Sequence, residues 1–440
     1  SGFRMNLRSG VGTALGEDSI NFTFDGKAYT GREGDTLASA LLANGVTVLA
    51  RSFKYHRPRG LFTAGSEEPS ALVTLRKGGR REPNIRAPEV ELYEGLEASS
   101  QNNWPSPRFD LMAVNQLGSK FFSAGFYYKT FMGPQMPGNK TTRFWWICEQ
   151  FIRRAAGLGS GAKTADPDHY GKMNAWCDVL VVGSGAAGLA AARQADVAGA
   201  KVILCEQDAD MGGALRGAPD LIDGQPAREW VEDTLADLGE LENVTLLNRT
   251  TVQSYFDDNT FLTVERVADH KPVPDAHEPR QRAWTIRAKS AIVAAGALER
   301  PLVFPGNDRP GVMLADSARR YAVEFGVSPG RQVAVFTNND SGWLAARDMA
   351  KSGVIISAII DVRSDVSDTA REAGAECSCE IHTGSAVVNT SGAQTLNSVQ
   401  IATYSEVAGK LGDEKTRIGA DCLAVSGGWS PAFHLTSQQG

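Results

Sequence analysis

Hydrophobic positions fall along the chain in two alternating stretches and two βαβ-like successions. From Ile20 the pattern alternates, Ile20-Asn-Phe22-Thr-Phe24, breaks at Asp25-Gly26 and resumes at Lys27-Ala28-Tyr29, which predicts a β-hairpin. Gly34-Asp35-Thr36 then caps an apolar helix from Leu37 to Ala43, closed by Asn44-Gly45. A continuous apolar run, Asp178-Val-Leu-Val-Val182, feeds a glycine-rich turn and an alanine-rich helical stretch, and a second run follows, Lys201-Val-Ile-Leu-Cys205-Glu206. Residues 227 to 239 have the period of an amphipathic helix, and Val244 to Leu247 read as a strand. A β-hairpin insertion is expected from about Ser254 to Arg287, interrupted by the proline-rich Lys271 to Pro279, before the apolar Ala291 to Ala295. The second succession opens at Gln332-Val-Ala-Val-Phe336 and continues through Val354 to Ile360, ending on Asp361. Alternating strands from Ala386 to Tyr404 and the segment from Gly419 to Pro431 complete the pattern.

The turn between the first two apolar runs is Gly183-Ser-Gly185-Ala-Ala-Gly188, a G-x-G-x-x-G spacing between a strand and a helix. Each glycine has a task. Gly183 permits the tight turn, Gly185 lets a pyrophosphate approach the backbone, and Gly188 lets the helix pack close to the strand. The helix N-terminus offers free N–H groups and positive partial charge to phosphates. Glu206, at the end of the second strand, can accept both hydroxyls of an adenosine ribose and would repel a 2′-phosphate, which favours NAD or FAD over NADP. Strand, turn, helix, second strand and terminal acid together make a dinucleotide-binding unit.

Composition narrows the class without changing this picture. At 440 residues the chain can build two or three domains, and 42% hydrophobic with 22% charged residues describes a globular protein. A net charge of −6 argues against a general nucleic-acid binder. Cys148, Cys177, Cys205, Cys377, Cys379 and Cys422 are too sparse for a disulfide scaffold and suit a reducing cytoplasm. Cys377-Ser-Cys379 has no second pair, so no metal site is expected. No stretch is apolar enough for a membrane span, and the start, Ser1-Gly2-Phe3-Arg4, lacks the core of a signal peptide.

Beyond the glycine turn, Met211-Gly212-Gly213-Ala214-Leu215 resembles the second dinucleotide contact of glutathione-reductase-like flavoproteins, Thr250-Thr251-Val252 the place where such folds wrap the adenine, and Ala295-Gly296 their Ala-Thr-Gly crossing. The cofactor-binding set expected on these grounds is Gly183, Gly185, Ala186, Ala187, Gly188, Glu206, Gln207, Gly212, Gly213, Ala214, Leu215, Val252, Ala295 and Gly296. In the second succession Thr337, Asn339 and Gly342 stand where the glycines would be, so that half is expected to keep the fold without nucleotide binding. The hairpin and capped helix near the start resemble the β-grasp fold of plant-type ferredoxins. Thr63, Glu68 and Ala71 occupy the C-x4-C-x2-C positions, so no iron–sulfur cluster is expected. The loop Arg51 to Gly60, rich in Arg with Tyr55 and His56, is expected to be an interface or anion-binding loop. The fold class is then α/β, with two glutathione-reductase-like dinucleotide-binding domains preceded by a ferredoxin-like β-grasp domain. The divisions are 1–100 β-grasp, 101–172 an aromatic-rich connection whose rings (Phe121 to Trp146) bury against another domain or subunit, 173–300 the NAD/FAD-binding Rossmann domain and 301–440 the degenerate one.

The succession Phe24-Asp25-Gly26-Lys27, Gly34 to Gly45, Ser52 to Gly60, Ala297-Leu-Glu-Arg-Pro301 and Pro305 to Val312 resembles the α subunits of bacterial heterotetrameric sarcosine oxidases. The resemblance implies membership of a complex that oxidises sarcosine with oxygen as acceptor and passes the one-carbon unit to tetrahydrofolate. It implies NAD in this chain, FMN at the boundary with a β subunit, FAD in the β subunit, and β, γ and δ partner subunits. It also implies that these residues are the N-terminal part of a longer polypeptide with a folate-binding half. No catalytic acid or base is assigned, and His56 and His434 read as structural. A component of a dehydrogenase for a related amine or hydroxyproline, and a free-standing NADH-dependent flavoprotein reductase, are the alternatives.

Overall fold

A computed structural model describes residues 7–8, 10, 12–53, 55–117, 149–150 and 157–439. The aromatic run from Phe121 to Trp146 and Lys54 of the basic loop lie outside the described residues.

The first hairpin forms as the alternation predicts. Strands β1 (Ser19–Phe24) and β2 (Lys27–Arg32) pair antiparallel around Asp25 and Gly26, both at positive φ. Helix α1 (Leu37–Ala43) starts at Thr36, whose hydroxyl accepts from Ser39 N at 3.1 Å while Ser39 Oγ accepts from Thr36 N, a reciprocal capping box. All its residues are buried. Strands β3 (Leu72–Leu75), β4 (Glu82–Arg86) and β5 (Glu97–Ser100) complete a sheet in the order β2-β1-β5-β3-β4.

The second sheet is built on β6 (Tyr170–Val182), β7 (Val202–Cys205), β8 (Val244–Leu247), β9 (Thr250–Phe256), β10 (Thr260–Glu265) and β11 (Gln281–Val293), in the order β8-β7-β6-β11-β10-β9. The first four in that order are parallel, which requires crossovers, and helices α2 (Ala186–Val197) and α3 (Ala227–Gly239) supply two of them. Strand β6 begins at Tyr170, inside the stretch expected to be linker. The reason is register: β11 runs parallel to it from Gln281↔Tyr170 to Val293↔Val182.

A short antiparallel pair, β12 (Ala297–Glu299) with β21 (Trp429–Pro431), ties the second sheet to a third. That sheet is wholly parallel, built from β13 (Val312–Leu314), β14 (Val333–Thr337), β15 (Ile356–Asp361), β16 (Glu380–His382) and β20 (Cys422–Ser426) in the order β13-β20-β14-β15-β16. Helices α4 (Ala315–Val323), α5 (Asp340–Lys351) and α6 (Asp368–Ala375) accompany it. An antiparallel trio, β17 (Ser385–Ser391), β18 (Ser398–Ser405) and β19 (Lys410–Gly419), precedes β20.

One continuous apolar cluster joins Phe22 on β1 and Leu37 and Leu41 on α1 to Tyr321, Trp343 and Met349 on α4 and α5. Polar contacts reinforce the join: Tyr321 Oη donates to Thr63 O at 2.9 Å, and Ala64 N to Ser317 Oγ at 3.1 Å. The basic loop is an internal clasp. Arg57 and Arg59 both reach Asp308, and Arg51 spends its donors on the carbonyls of His56, Pro107 and Arg108. Arg51 is buried and committed to internal carbonyls, whereas Arg57, bonded to Asp308 through Nη1, keeps an exposed guanidinium. His56 is buried, with Nδ1 2.6 Å from a buried Asp110 carboxylate.

Candidate functional site

The glycine turn has the geometry its residue types require. Gly183 sits at φ 96°, and a Cβ there would lie 2.4 Å from Ala294 O. A Cβ on Gly188 would lie 1.8 Å from Gly183 O, so this glycine permits the contact between helix and strand. Gly185 is different, because a Cβ there would meet nothing within 4 Å. Its missing side chain serves no internal packing. Around it Ala186, Ala187, Ala214, Ala295 and Gly296 are exposed, so the helix N-terminus opens onto a shallow face of small residues. The first-turn N–H groups of α2 have no acceptor within their helix and point to where a phosphate can take them.

Glu206 stands at the end of β7 as expected, and only 7% of it is exposed. Its Oε2 accepts from Ser184 N at 2.9 Å and from Ser184 Oγ at 2.6 Å, and Oε1 accepts from Asp208 N at 3.0 Å. Ser184 Oγ in turn accepts from Gly212 N at 2.9 Å. Ser184 therefore orients the acid and ties it to the Gly212-Gly213 loop. Sequence reasoning missed it. The signal was present, since a hydroxyl between the first two glycines lies within reach of an acid at the end of the next strand. Oε1, which accepts one bond, keeps a lone pair free for a ribose hydroxyl, whereas both lone pairs of Oε2 are taken by Ser184.

Gly212 and Gly213 both have positive φ, and a Cβ on Gly213 would come within 3.2 Å of Gly185 Cα. The two glycine segments thus form one surface. Three residues of the expected set lie elsewhere. Val252 is in the apolar core beneath the sheet, and Leu215 packs against the cluster under α3. Gln207 turns to the β-grasp domain, its Nε2 donating to Ser66 Oγ at 3.2 Å and its carbonyl accepting from Arg266. Arg249 makes a two-pronged bond to Glu91 at 2.6 Å on each arm, so the β-grasp domain is docked beside the ribose end of the cleft. A cavity of about 560 Å³ lies behind the 209–216 loop against α3, and none of the glycines lines it. The glycine cleft is an open face whose shape is set by its backbone.

The corresponding cleft of the third sheet is filled by its own side chains. Asn339 Oδ1 accepts from Ser341 N and caps α5, while Asn339 Nδ2 donates to Ser426 O. Trp429 Nε1 closes the top on Ser341 Oγ at 3.0 Å. Asp361, at the ribose position, is fully buried under Trp343 and Arg363.

Residues 177–440 match the family model for pyridine nucleotide-disulphide oxidoreductases. The chain belongs to that family. Within the pyridine nucleotide-disulphide oxidoreductase fold, L-proline dehydrogenase from P. horikoshii aligns over 98% of this chain and 64% of its own, at TM-score 0.59 and 18% identity, a likeness of fold. The resemblance to sarcosine oxidase α subunits holds. The chain is 47% identical over 96% of its length to the sarcosine oxidase α subunit of Rhizobium meliloti (strain 1021), and 38% identical over 96% to that of Corynebacterium sp. (strain P-1). It spans 41% and 38% of those proteins, respectively. The opine oxidase A-subunit of Agrobacterium tumefaciens (strain Ach5) is 29% identical over 42% of the chain and 36% of that protein.

One expectation is corrected. Residues 17–103 match the model of a 2Fe-2S iron-sulfur cluster binding domain, which overturns the reading of a chain without such a cluster. The residues present do not fit a cluster held by thiolates. No cysteine lies between 17 and 103. The loop instead closes on Glu68, 1% exposed, whose carboxylate accepts from Phe62 N, Thr63 N, Ser70 N and Ala71 N at 2.7–3.0 Å. The ferredoxin-like β-grasp domain expected at the N-terminus is present, with Glu68 standing at one of the positions where the cysteine spacing would fall.

Among the described residues no helix is long and apolar enough to cross a membrane.

Proposed function

We propose that this chain is the dinucleotide-binding portion of an α subunit in a flavin-dependent complex that oxidises sarcosine, with oxygen as electron acceptor and the released one-carbon unit passed to tetrahydrofolate. Its own task is to hold NAD across Gly183, Gly185 and Gly188, with the ribose on Glu206, and to help form an FMN-binding boundary with a β subunit. The γ and δ partners and the folate-binding half belong to this reading, which would place the complex in the cytoplasm. The observation that carries it is the open backbone at Gly185, where a side chain would meet nothing, bordered by exposed small residues and a buried, pre-oriented acid. The identity to sarcosine oxidase α subunits along nearly the whole chain supports the substrate.

The filled cleft of the third sheet supports a single nucleotide per chain, held as a resident group. A mobile hydride carrier would need a flavin beside it and a second open site. In the same reading the chain divides near residues 100, 172 and 300, into β-grasp, connecting, nucleotide-binding and degenerate nucleotide-binding parts.

The similarity to opine oxidase A-subunits favours one second reading, in which the amine is a different N-substituted amino acid. The test is the cofactor and substrate profile of the purified assembly. Mild acid release should free NAD together with flavin, and sarcosine should drive oxygen uptake. An assembly lacking adenine dinucleotide would overturn the site, and oxygen uptake with an opine in place of sarcosine would establish the second reading.

A further inference from the structure

Cys377 and Cys379 stand where α6 ends and β16 begins. Cys377 N donates to Gly374 O at 3.1 Å and its thiol to Ala373 O at 3.3 Å, so the first cysteine is fastened to the last turn of the helix. Ser378 has φ 50°, a left-handed conformation uncommon for a residue with a side chain. A residue of helical type between them sets the flanking Cα atoms roughly 5.5 Å apart, inside the roughly 4.4–6.8 Å that a disulfide spans. The two thiols are near enough for each to influence the ionisation of the other. Cys377 is buried in the core cluster and Cys379 packs against it, half-buried, with exposed Ser378 and Glu380 on either side.

The two sulfurs differ in character. The neighbouring Cys379 thiol, together with burial, pushes the Cys377 thiol up. The neighbouring Cys377 thiol holds Cys379 below its ordinary value, against the opposing effect of burial. By contrast Cys177, Cys205 and Cys422 are buried and pushed up by desolvation, the pattern of inert thiols.

We propose that Cys377 and Cys379 form a reversible dithiol–disulfide site, in which Cys379 meets a hydroperoxide and Cys377 resolves the product. The Cys379 thiolate attacks one peroxide oxygen, the O–O bond breaks, and the departing hydroxide takes a proton to become water, leaving a sulfenic acid. The Cys377 sulfur then attacks the sulfenic sulfur, an S–S bond forms, and the sulfenic hydroxyl leaves as a second water with the Cys377 proton. In total two thiols lose two electrons and two protons to one hydrogen peroxide, and a dithiol restores them. The inference stands on this turn alone and is independent of the substrate of the complex.

The experiment exposes the reduced, full-length protein in its native assembly to hydrogen peroxide, quenches it, and digests it with trypsin without reduction. The peptide from Glu372 to Lys410 contains these two cysteines and no other. It should appear two hydrogens lighter and refuse iodoacetamide until dithiothreitol is added. In Cys377→Ser, Cys379 should accumulate a dimedone adduct of its sulfenic acid. In Cys379→Ser, Cys377 should stay reduced over the same exposure. Wild-type protein whose two thiols take iodoacetamide after peroxide as fully as before would overturn the proposal, as would a Cys379→Ser variant in which Cys377 oxidises at the wild-type rate.

Discussion

The indole Nε1 of Trp343 donates to Asp361 Oδ2 at 2.8 Å, with both residues buried. Asp361 is the counterpart in the third sheet of Glu206 in the second, each closing the second strand of its βαβ unit. Where Glu206 keeps a lone pair free on Oε1, Asp361 is consumed by the indole of Trp343 and by Arg363 at 2.7 Å. One architecture thus leaves an open cleft in one half and a packed polar core in the other.

Trp343→Phe tests that assignment. It removes a buried donor and leaves Asp361 with fewer partners, at a cost of about 1–3 kcal/mol. Thermal unfolding should shift down accordingly, while the NAD content of the purified protein stays unchanged. A variant that loses NAD with no change in stability would count against a vacant second cleft.

The glycines of the first turn should separate binding from folding. Gly185→Ala meets no protein atom, so its melting temperature should equal that of the parent while the added methyl obstructs the pyrophosphate and bound NAD falls by tenfold or more, about 1.4 kcal/mol. Gly188→Ala collides with Gly183 O and should yield little folded protein with or without NAD. Equal behaviour of the two variants in parallel melting and cofactor-release measurements would show that Gly185 does not face a ligand.

The strands and helices around this turn were legible because their causes are local. Periodicity, Thr36 at a helix start, Asp25-Gly26 in a hairpin and the glycine spacing each act within a few residues. Gly183, Gly185, Gly188 and Glu206 border one cleft for that reason. What sequence could not give was long-range partnership. Gln207 and Val252 sit beside the right motif and turn toward Ser66 and the core, respectively, because domain docking and sheet curvature decide where those side chains go. Ser184 was overlooked because its importance appears only when β7 brings Glu206 alongside it. The loop at Glu68 was judged by the cysteines it lacks, and the four amides gathered around the carboxylate are invisible in one dimension.

Glu68 should be the least replaceable acid of the β-grasp domain. An amide presents N–H where two backbone N–H groups expect an acceptor, so Glu68→Gln replaces attraction with repulsion on one side. We expect a loss of about 1–3 kcal/mol for each donor left unsatisfied, seen as early melting of the N-terminal domain by hydrogen exchange at residues 62–71. Wild-type exchange rates in that loop for Glu68→Gln would refute the account.

Glu299 links acidity to stability. It is half-buried on β12, accepts from Asp316 N at 2.8 Å, and is pushed up to about 7, chiefly by burial, with the Asp316 charge adding to the effect and Ser426, Asp316 N and Arg319 opposing it. A carboxyl whose folded value lies above its unfolded value near 4.5 makes the folded state bind the extra proton between those limits. The group therefore favours folding fully below about pH 4.5, and that contribution is lost as pH rises through about 7. The span corresponds to roughly 3 kcal/mol at most, reduced by whatever water reaches the side chain. Glu299→Gln removes the titration while keeping an acceptor for Asp316 N. Denaturant melts between pH 5 and 8 should then show the wild type losing stability relative to Glu299→Gln as pH rises. A difference between the two proteins that stays constant across that range would mean that Glu299 titrates alike in the folded and unfolded chains.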